Sequence, residues 1–356
     1  MSNMNATYIR RCLQLAQKGT GTTSPNPLVG AVIVKEDRII GEGFHLRKGE
    51  AHAEVVAIEN ATESVEGSIL YCSLEPCCHT NKTTPPCTDL ILKSGIKKVV
   101  VATLDPNPEV AGKGLALLKS KGLEVSHGYC EAEAHELNKV FFKSVKSNLP
   151  YIHVKVAITL DGRIATSSGD SKWISSVQSR SKVHELRQKY DAVMVGRATL
   201  NADNPKLTAR KGDIVVKDPM KIVVGNPDNF AKDLNLLKNT EKLLVLNTGR
   251  DEATKENWYK LKNGKFIEAF QWIKSKGVES ILLEGGSKLI SEVVEQELYD
   301  EITIFICPKV IGNGPSFFNS TYSTEMSEAL HLKGVAEFLE NGEVIYKVRK
   351  NVYRSS

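Results

Sequence analysis

A zinc-site signature is the part of the sequence with the clearest chemical content: His52-Ala53-Glu54, then Pro76-Cys77, then Cys87. One neutral imidazole and two thiolates can hold three corners of a tetrahedral zinc ion, which leaves the fourth corner for a water made acidic near neutral pH. Glu54 is then free to move protons as general base and acid. The combination predicts hydrolytic deamination of an aminopyrimidine or a purine.

Two neighbouring side chains leave the ligand set open. A purely structural zinc site typically closes with four protein ligands, and His79 could supply the fourth. Cys78 could compete for the ion, although the position directly after a proline favours Cys77. Both expected cysteine ligands, Cys77 and Cys87, lie in a Pro- and Thr-rich loop that follows the apolar run 68–74, where thiols have no core to fill.

The secondary structure that positions these residues can be predicted from the sequence. In the first 150 residues, apolar runs typical of strands alternate with segments whose apolar residues recur at helical spacing. Such alternation is typical of an α/β layered domain. The helix predicted at 51–61 would place His52 and Glu54 in its first turn, where free amides and the helix dipole meet the metal site. The other predicted elements are helices 6–18 and 112–121 and strands 28–34, 38–44, 68–74, 97–102 and 123–125.

The pattern is interrupted at 146–150, and a new strand opens at Tyr151. We therefore place a boundary there, which gives domains 1–147 and 148–356. Strand 151–160 turns at Asp161-Gly162, a dipeptide that suits a tight hairpin. Gly285-Gly286 could approach a phosphate, although without a full glycine fingerprint an ordinary connector is the better interpretation. Further buried strands are predicted at 191–196, 221–225, 242–246 and 280–284.

Composition narrows the partners and the compartment. A chain of 356 residues suits two domains, and its 47 Lys and Arg against 42 Asp and Glu form no basic stripe, so no nucleic-acid partner is expected. No segment has the length and apolar character of a membrane span or a signal peptide, so no membrane partner is expected. An odd count of seven cysteines fits a reducing compartment. We expect a cytoplasmic protein.

Several motifs in fixed order make the chain resemble one family closely, the bifunctional deaminase–reductases of riboflavin biosynthesis. The zinc motif alone is shared by many deaminases, whereas the second set behind the first is much more specific. The first set is SPNPLVG at 24–30, GEGFH at 41–45, HAE at 52–54, EPC at 75–77 and PPC at 85–87. The second set is KVA at 155–157, LDGRIA at 160–165, SKWIS at 171–175, DNPKLT at 203–208 with Arg210, and EGG at 284–286.

The resemblance implies an α/β fold in two domains and a two-step enzyme. The amino-terminal domain would be an α/β/α layer similar to cytidine deaminase, which removes the 2-amino group of a small phosphoribosyl pyrimidine with bound Zn²⁺. The carboxy-terminal domain would be similar to dihydrofolate reductase and would use NADPH to reduce the ribosyl group to a ribityl chain. The protein is expected to be a homo-oligomer, either a dimer or a tetramer.

The resemblance also assigns residues to roles. The catalytic residues would be Glu54, Lys155 and Asp203, and the zinc ligands would be His52, Cys77 and Cys87. The substrate contacts would be Asn26, His45, His79 and Lys82 in the first domain, and Ser171, Arg187, Leu207, Arg210 and Glu284 in the second. The cofactor contacts would be Ala157, Trp173, Thr199, Asp203 and Gly286.

The zinc loop departs from the family pattern. The family usually has Ser after Pro-Cys and Gly before the Lys, where this chain has Cys78 and Asn81, and the loop between the two zinc cysteines is one residue longer. Two rival functions remain open at this stage. One is a base deaminase of a polynucleotide such as transfer RNA, which uses the same zinc chemistry. The other is a non-enzymatic zinc-stabilised nucleotide-binding or regulatory module, in which Glu54 serves only the helix start.

Overall fold

The computed structural model describes residues 2–79, 85–249, 255–319 and 325–350. The chain divides into two units, Met1–Asn148 and Leu149–Ser356. Each unit is built on its own sheet with helices packed against it, which confirms the prediction of an α/β fold in two domains.

The amino-terminal unit is organised by a five-stranded mixed sheet. Its strands are β1 (Gly30–Lys35), β2 (Arg38–Phe44), β3 (Ile69–Cys72), β4 (Lys98–Val101) and β5 (Glu124–His127). The strand order is β2-β1-β3-β4-β5, in which β1 is antiparallel to both of its neighbours. Strands β3, β4 and β5 are parallel, so their carboxyl ends and the loops that follow lie at one edge of the sheet.

Helices cover both faces of this sheet, because successive side chains of a strand point to opposite faces. Ala31 and Ile33 of β1 pack into one apolar cluster with side chains of α2, α3 and α4, whereas Val32 and Val34 pack on the other face with α1 and α5. The result is a three-layer α/β/α unit. Its helices are α1 (Ser2–Ala16), α2 (Ala53–Glu59), α3 (Cys87–Lys93), α4 (Lys113–Ser120), α5 (Glu131–Leu137) and α6 (Lys139–Lys146).

The carboxy-terminal unit contains a nine-stranded sheet and a separate two-stranded hairpin. The sheet strands are β6 (Tyr151–Thr159), β7 (Ala192–Gly196), β10 (Met220–Gly225), β11 (Leu243–Asn247), β12 (Trp258–Lys260), β13 (Ser280–Leu283), β14 (Glu301–Cys307), β15 (Gly334–Phe338) and β16 (Val344–Arg349), and the hairpin pairs β8 (Ala209–Lys211) with β9 (Ile214–Lys217). The order is β12-β11-β10-β7-β13-β6-β14-β16-β15. Strands from β12 to β14 run parallel, and β15 and β16 close the sheet as an antiparallel edge.

Four α-helices pack on this parallel region, and the large buried rings of Phe266 and Phe270 on one of them fill the core. They are α7 (Val177–Lys189), α8 (Arg197–Asp203), α9 (Phe266–Ser275) and α10 (Ser287–Glu295). Within the described ranges, no helix combines the length and the apolar character needed to cross a bilayer.

The hairpin predicted at Asp161-Gly162 is wrong. The dipeptide does turn the chain, since Gly162 has a φ of +79° and its amide donates to the Thr159 carbonyl at 2.9 Å. No antiparallel partner strand follows in the described residues, however: β6 pairs in parallel with β13 over residues 151–154 and with β14 over residues 153–159. The chain instead leaves the sheet after Gly162, and the next strand of this sheet along the chain is β7 (Ala192–Gly196), which pairs with β13 and β10.

Candidate functional sites

The three residues expected to hold zinc come together in the amino-terminal unit. His52 Nδ1 lies 3.5 Å from the Cys77 sulfur and 3.2 Å from the Cys87 sulfur, and the three ligand atoms all lie within 4.8 Å of one another. Among the described residues, this is the only group of three or more His, Cys, Asp and Glu side chains close enough to hold one metal ion.

Two helix starts position these ligands. His52 is the residue before α2 and keeps an extended backbone, while its carbonyl accepts the first helical hydrogen bond from Val56 at 3.1 Å. Cys87 is the first residue of α3, and its amide donates to the Cys77 sulfur at 3.4 Å. Amide groups at helix starts favour negative charge nearby, so this place suits thiolate ligands.

Glu54 lies in the first turn of α2 and is only 3% exposed. Burial raises the pKa of its carboxyl group, and the nearby Cys77 raises it further. A carboxyl group whose pKa is moved toward neutrality is suited to both accepting and donating a proton. Glu54 does not belong to the three-ligand group, so its carboxylate is available for proton transfer.

His45 and Asn26, two of the expected substrate contacts, lie beside the ligands. The His45 ring is 5.5 Å from the His52 ring, and burial lowers the pKa of His45. Its Nε2 lies 3.1 Å from the Asn26 amide nitrogen, and its Nδ1 lies 3.1 Å from the Ala51 carbonyl. A neutral ring that donates from Nδ1 to Ala51 and accepts at Nε2 from Asn26 satisfies both contacts.

The two side chains that left the ligand set open lie apart from the metal group. His79 has its Nδ1 3.9 Å from a Glu109 carboxylate oxygen, and the Cys78 sulfur is 3.9 Å from the Glu109 carbonyl oxygen. Neither belongs to the three-ligand group. A zinc ion held by these three side chains alone would keep a fourth coordination position for water. Lys82, another expected substrate contact, lies outside the described residues.

Sequence reasoning missed a residue that supports this pocket from a distance. Asn138, 3% exposed between α5 and α6, donates to the Leu28 carbonyl at 2.9 Å and accepts from the Leu28 amide at 2.8 Å. These two bonds fix the backbone two residues after Asn26. Only the fold brings positions 28 and 138 together, so no local motif could have revealed the contact.

In the carboxy-terminal unit, a cavity of about 1050 Å³ opens at the carboxyl ends of the parallel strands. Every residue expected to serve reduction lines it. These residues are Lys155, Ala157, Ser171, Trp173, Arg187, Thr199, Asp203, Leu207, Arg210, Glu284 and Gly286. Ligands of open α/β sheets bind at this edge, so the placement suits an active site.

An ion pair lies at the floor of this cavity. The Arg187 guanidinium donates to both carboxylate oxygens of Glu284, at 2.6 and 2.8 Å, and also to the Thr208 carbonyl at 3.2 Å. Burial opposes ionisation of Glu284, but the Arg187 charge overcomes it and holds the Glu284 pKa below its ordinary value. Burial lowers the pKa of Lys155, whose charge also interacts with Glu284. A buried lysine with a lowered pKa beside charged groups in a cavity is a candidate proton donor.

The remaining expected contacts occupy the cavity walls. Asp203 is partly exposed and lies 3.8 Å from the Lys172 ammonium. The Arg210 Nε is buried without a hydrogen-bond partner in the described structure, which leaves it available to an anion. A Cβ added at Gly286 would lie 3.3 Å from the Thr199 hydroxyl, so the glycine brings the backbone close to that side chain.

Helix α7 supplies two cavity residues that sequence reasoning missed. The Arg180 guanidinium carbon lies 4.2 Å from the centre of the Trp173 ring, and Trp173 itself is 61% exposed. His184 Nδ1 lies 3.2 Å from the Thr208 carbonyl, and burial lowers the His184 pKa. Arg180, His184 and Arg187 recur at spacings of four and three residues. That spacing places them on one helical face, and it is the signal that could have revealed them.

Two family models match the chain. Residues 2–103 match the cytidine and deoxycytidylate deaminase zinc-binding region, and residues 150–341 match the RibD C-terminal domain. The zinc cluster lies inside the first match, and the cavity lies inside the second.

Curated relatives and solved structures match nearly the whole chain. Riboflavin biosynthesis protein RibD of Aquifex aeolicus is 40% identical over 348 residues, which cover 96% of this chain and 97% of the relative. RibD of Escherichia coli is 36% identical, with 86% and 88% covered. The crystal structure of a diaminohydroxyphosphoribosylaminopyrimidine deaminase/5-amino-6-(5-phosphoribosylamino)uracil reductase from Thermotoga maritima superimposes with a TM-score of 0.89 at 37% identity, and the match covers 98% of this chain and 99% of that one.

Proposed function

Because the chain belongs to the RibD family of bifunctional deaminase/reductases of riboflavin biosynthesis, we propose that it catalyses two consecutive reactions on one pyrimidine. The first hydrolyses 2,5-diamino-6-(5-phosphoribosylamino)pyrimidin-4(3H)-one to 5-amino-6-(5-phosphoribosylamino)uracil and ammonia, in domain 1–147. The second reduces the ribosyl group with NADPH and gives 5-amino-6-(5-phosphoribitylamino)uracil, in domain 148–356. The observation that carries the proposal is the three-ligand cluster beside a buried Glu54.

The ligand set of the first site fits zinc. It offers one imidazole nitrogen and two thiolate sulfurs, and catalytic zinc sites use three protein ligands and leave one position open. When bound there, zinc supplies a Lewis acid that makes a water nucleophilic near neutral pH. Glu54 takes a proton from the attacking water and delivers protons to the ring nitrogen and the leaving amine. Water is thus added, and ammonia leaves.

The pocket beside the ligands orients the pyrimidine in this proposal. His45 and Asn26 form one hydrogen-bonded unit, and a polar pair with defined donors and acceptors can discriminate the edges of a pyrimidine. His79 and Lys82 would add contacts to the ring or the phosphate.

The second cavity fits a dinucleotide and a sugar phosphate. The nicotinamide supplies the hydride, so the protein contributes orientation and charge. Lys155 stabilises the negative charge that develops on the sugar oxygen and gives it a proton. Arg187 is occupied by Glu284 and Thr208, so Arg210, with its unpartnered Nε, is the better partner for the substrate phosphate. Ser171, Leu207 and Glu284 would line the sugar, and Ala157, Trp173, Thr199, Asp203 and Gly286 would line the cofactor.

The test is to incubate purified protein with the diaminopyrimidine phosphate, with and without NADPH, and to follow ammonia and reduced-cofactor absorbance separately. Glu54→Gln should lower the rate of ammonia release about 10²–10⁴-fold, with zinc content and reduction of the uracil substrate unchanged. Glu59→Gln, at the exposed end of the same helix, is the matched control. A joint loss of both activities would contradict two separate sites, and ammonia release from RNA would favour the polynucleotide deaminase.

We also propose a cytoplasmic homo-oligomer, either a dimer or a tetramer. None of the cysteines among the described residues forms a disulfide, which suits a reducing compartment. Analytical ultracentrifugation of the purified chain measures the oligomeric state, and a single monomeric species at micromolar concentration would refute that part of the proposal.

A further inference from the structure

We propose that Glu343 is a positioning residue of the reductase cavity, which holds the Trp173–Arg180 pair in place through the first turn of α7. The inference rests on the proposed reductase function. Glu343 lies in the turn of the β15–β16 hairpin, directly before β16, and is 3% exposed. Its side chain does not line the cavity. Its effect on the reaction is therefore indirect and passes through the residues that it binds.

The Glu343 carboxylate accepts three hydrogen bonds at the amino terminus of α7. One oxygen accepts from the Ser176 amide at 2.6 Å, and the other accepts from the Ser176 hydroxyl at 2.7 Å and from the Ser179 hydroxyl. Burial opposes ionisation of Glu343, but the bonds from Ser179 and Ser176 overcome it and hold the Glu343 pKa below its ordinary value. The carboxylate is therefore ionised near neutral pH, at the helix end where the dipole favours negative charge.

These bonds complete a helix cap that α7 cannot complete by itself. Ser176 is the residue before the helix, and its hydroxyl oxygen accepts from the Ser179 amide at 3.2 Å. In a capping box, a Glu or Gln three residues after the cap accepts a bond from the amide of the cap residue. This chain has Ser179 at that position, and the carboxylate comes from Glu343, 167 residues after Ser176. The start of α7 is therefore tied to the β15–β16 hairpin.

Cavity residues lie on both sides of this cap. The segment 171–175 ends immediately before Ser176, and all of its residues line the cavity. Arg180, in the first turn of α7, lines it as well. Its guanidinium carbon lies 4.2 Å from the centre of the Trp173 ring, and its side chain donates to the Ser175 carbonyl at 2.6 Å. The Arg180 amide donates to the Ser176 carbonyl at 3.0 Å, so a displaced cap would move both members of the pair.

The other end of α7 is anchored independently of Glu343. Arg187, near the carboxyl end of the helix, donates to both carboxylate oxygens of Glu284. Between the two ends, Lys182 pairs with Glu337 of β15 at 2.7 Å, but these side chains are 33% and 41% exposed, and such a pair contributes little to stability. Loss of the Glu343 carboxylate should therefore loosen the first turn of α7 and leave Arg187 in place.

The first experiment compares Glu343→Ala and Glu343→Gln with Glu340→Ala, which removes an exposed carboxylate from the same hairpin turn. In steady-state reduction of the uracil substrate, the KM for NADPH should rise about 10-fold in Glu343→Ala, because hydrogen bonds to a charged group contribute about that factor. The kcat should change less. Glu343→Gln keeps an acceptor for the Ser176 amide, so its KM should lie between those of wild type and Glu343→Ala. Glu340→Ala should match wild type.

Hydrogen-exchange mass spectrometry on the full chain without ligands gives the second measurement. The amides of residues 176–180 should exchange about 10-fold faster in Glu343→Ala, while those of residues 184–189 keep their wild-type rates. Unchanged exchange at 176–180, or equal acceleration along the whole of α7, would overturn the proposal.

The kinetics separate positioning from stability. Loss of folded enzyme lowers the apparent kcat and leaves the KM for NADPH unchanged, so that result in Glu343→Ala would limit Glu343 to a structural role and refute the positioning role. If wild type does not oxidise NADPH with the uracil substrate, the proposed reductase function fails instead. Hydrogen exchange then still decides whether Glu343 holds the start of α7.

Discussion

The two sites of this molecule are built on different length scales. The zinc group draws on residues 52–87, and its ligand atoms lie within 4.8 Å of one another. The reductase cavity collects side chains from several strands of the sheet and from the helices and loops that follow them, from Lys155 to Pro315. A site built from short-range motifs depends on two helix starts, whereas a site spread over a sheet depends on the register of every strand beneath it. Mutations should therefore act locally in the first case and through stability in the second.

The largest effect is expected from removing one zinc ligand. Cys87→Ser replaces a thiolate by a weak ligand, and losing the metal should cost several kcal/mol of transition-state stabilisation, or about 10³-fold or more in deamination rate. Bound zinc, measured by elemental analysis, should fall with it, while reduction of the uracil substrate continues. The matched variant Cys78→Ser in the same loop should keep both zinc and activity. Zinc loss in Cys78→Ser would show that Cys78 is a ligand and that the three-ligand description is incomplete.

The second largest effect is expected at the buried ion pair of the cavity. Arg187→Met leaves the Glu284 carboxylate buried without its partner, which should lower the unfolding free energy of the carboxy-terminal unit by about 3–5 kcal/mol. The double change Arg187→Met with Glu284→Leu removes both charges and should recover much of that loss. Denaturant unfolding of the three proteins measures both quantities, and deamination serves as the internal control. A double variant as unstable as the single one would mean that the fold needs the pair itself.

The same difference of scale decides how far the sequence could predict the structure. The grouping of His52, Cys77 and Cys87 could be predicted because their residue types and their spacing in the sequence indicate a shared metal. Strands such as β1 and β7 could be predicted because their runs are apolar and bounded by turns. The dipeptide at Asp161 predicts a hairpin that the fold lacks, because a dipeptide reports local geometry and not which strands pair with β6. Likewise, the pairing of Arg187 with Glu284 depends on the placement of α7 beside the end of β13, which no local pattern contains.

The third, smaller effect is expected at Asn138, which supports the pocket beside the zinc ligands from a distant part of the sequence. Asn138→Ala leaves the amide and carbonyl of Leu28 without their partners, and such a loss costs about 1–3 kcal/mol. Because Leu28 follows Asn26 by two residues, we expect a higher KM for deamination with kcat less affected and reduction unchanged. Asn138→Asp keeps the acceptor and loses the donor, so its KM for deamination should lie between those of wild type and Asn138→Ala. Destabilisation with no change in KM would limit Asn138 to a structural role.

The smallest effect concerns how stability depends on pH in the two units. Among the described residues, each unit holds one arginine–glutamate pair in which the arginine lowers the pKa of the carboxyl group. In the amino-terminal unit a hydrogen bond from Arg11 lowers the Glu42 pKa, and the two side chains are 41% and 30% exposed. In the carboxy-terminal unit, Arg187 lowers the Glu284 pKa against the opposing effect of burial, and the two side chains are 14% and 9% exposed.

Both carboxyl groups have folded pKa values below the ordinary 4.5, so in acid the unfolded chain takes up protons first. Their contributions are fully present above pH 4.5 and are lost as the pH falls through the folded pKa, with a slope of at most about 1.4 kcal/mol per pH unit for each group. Water screens the exposed pair, so the loss should be larger for Glu284. Unfolding free energies between pH 3 and 6, compared among wild type, Glu42→Gln and the double variant at 187 and 284, measure both losses. A steeper loss from Glu42 would mean that exposure, and not burial, governs these pairs.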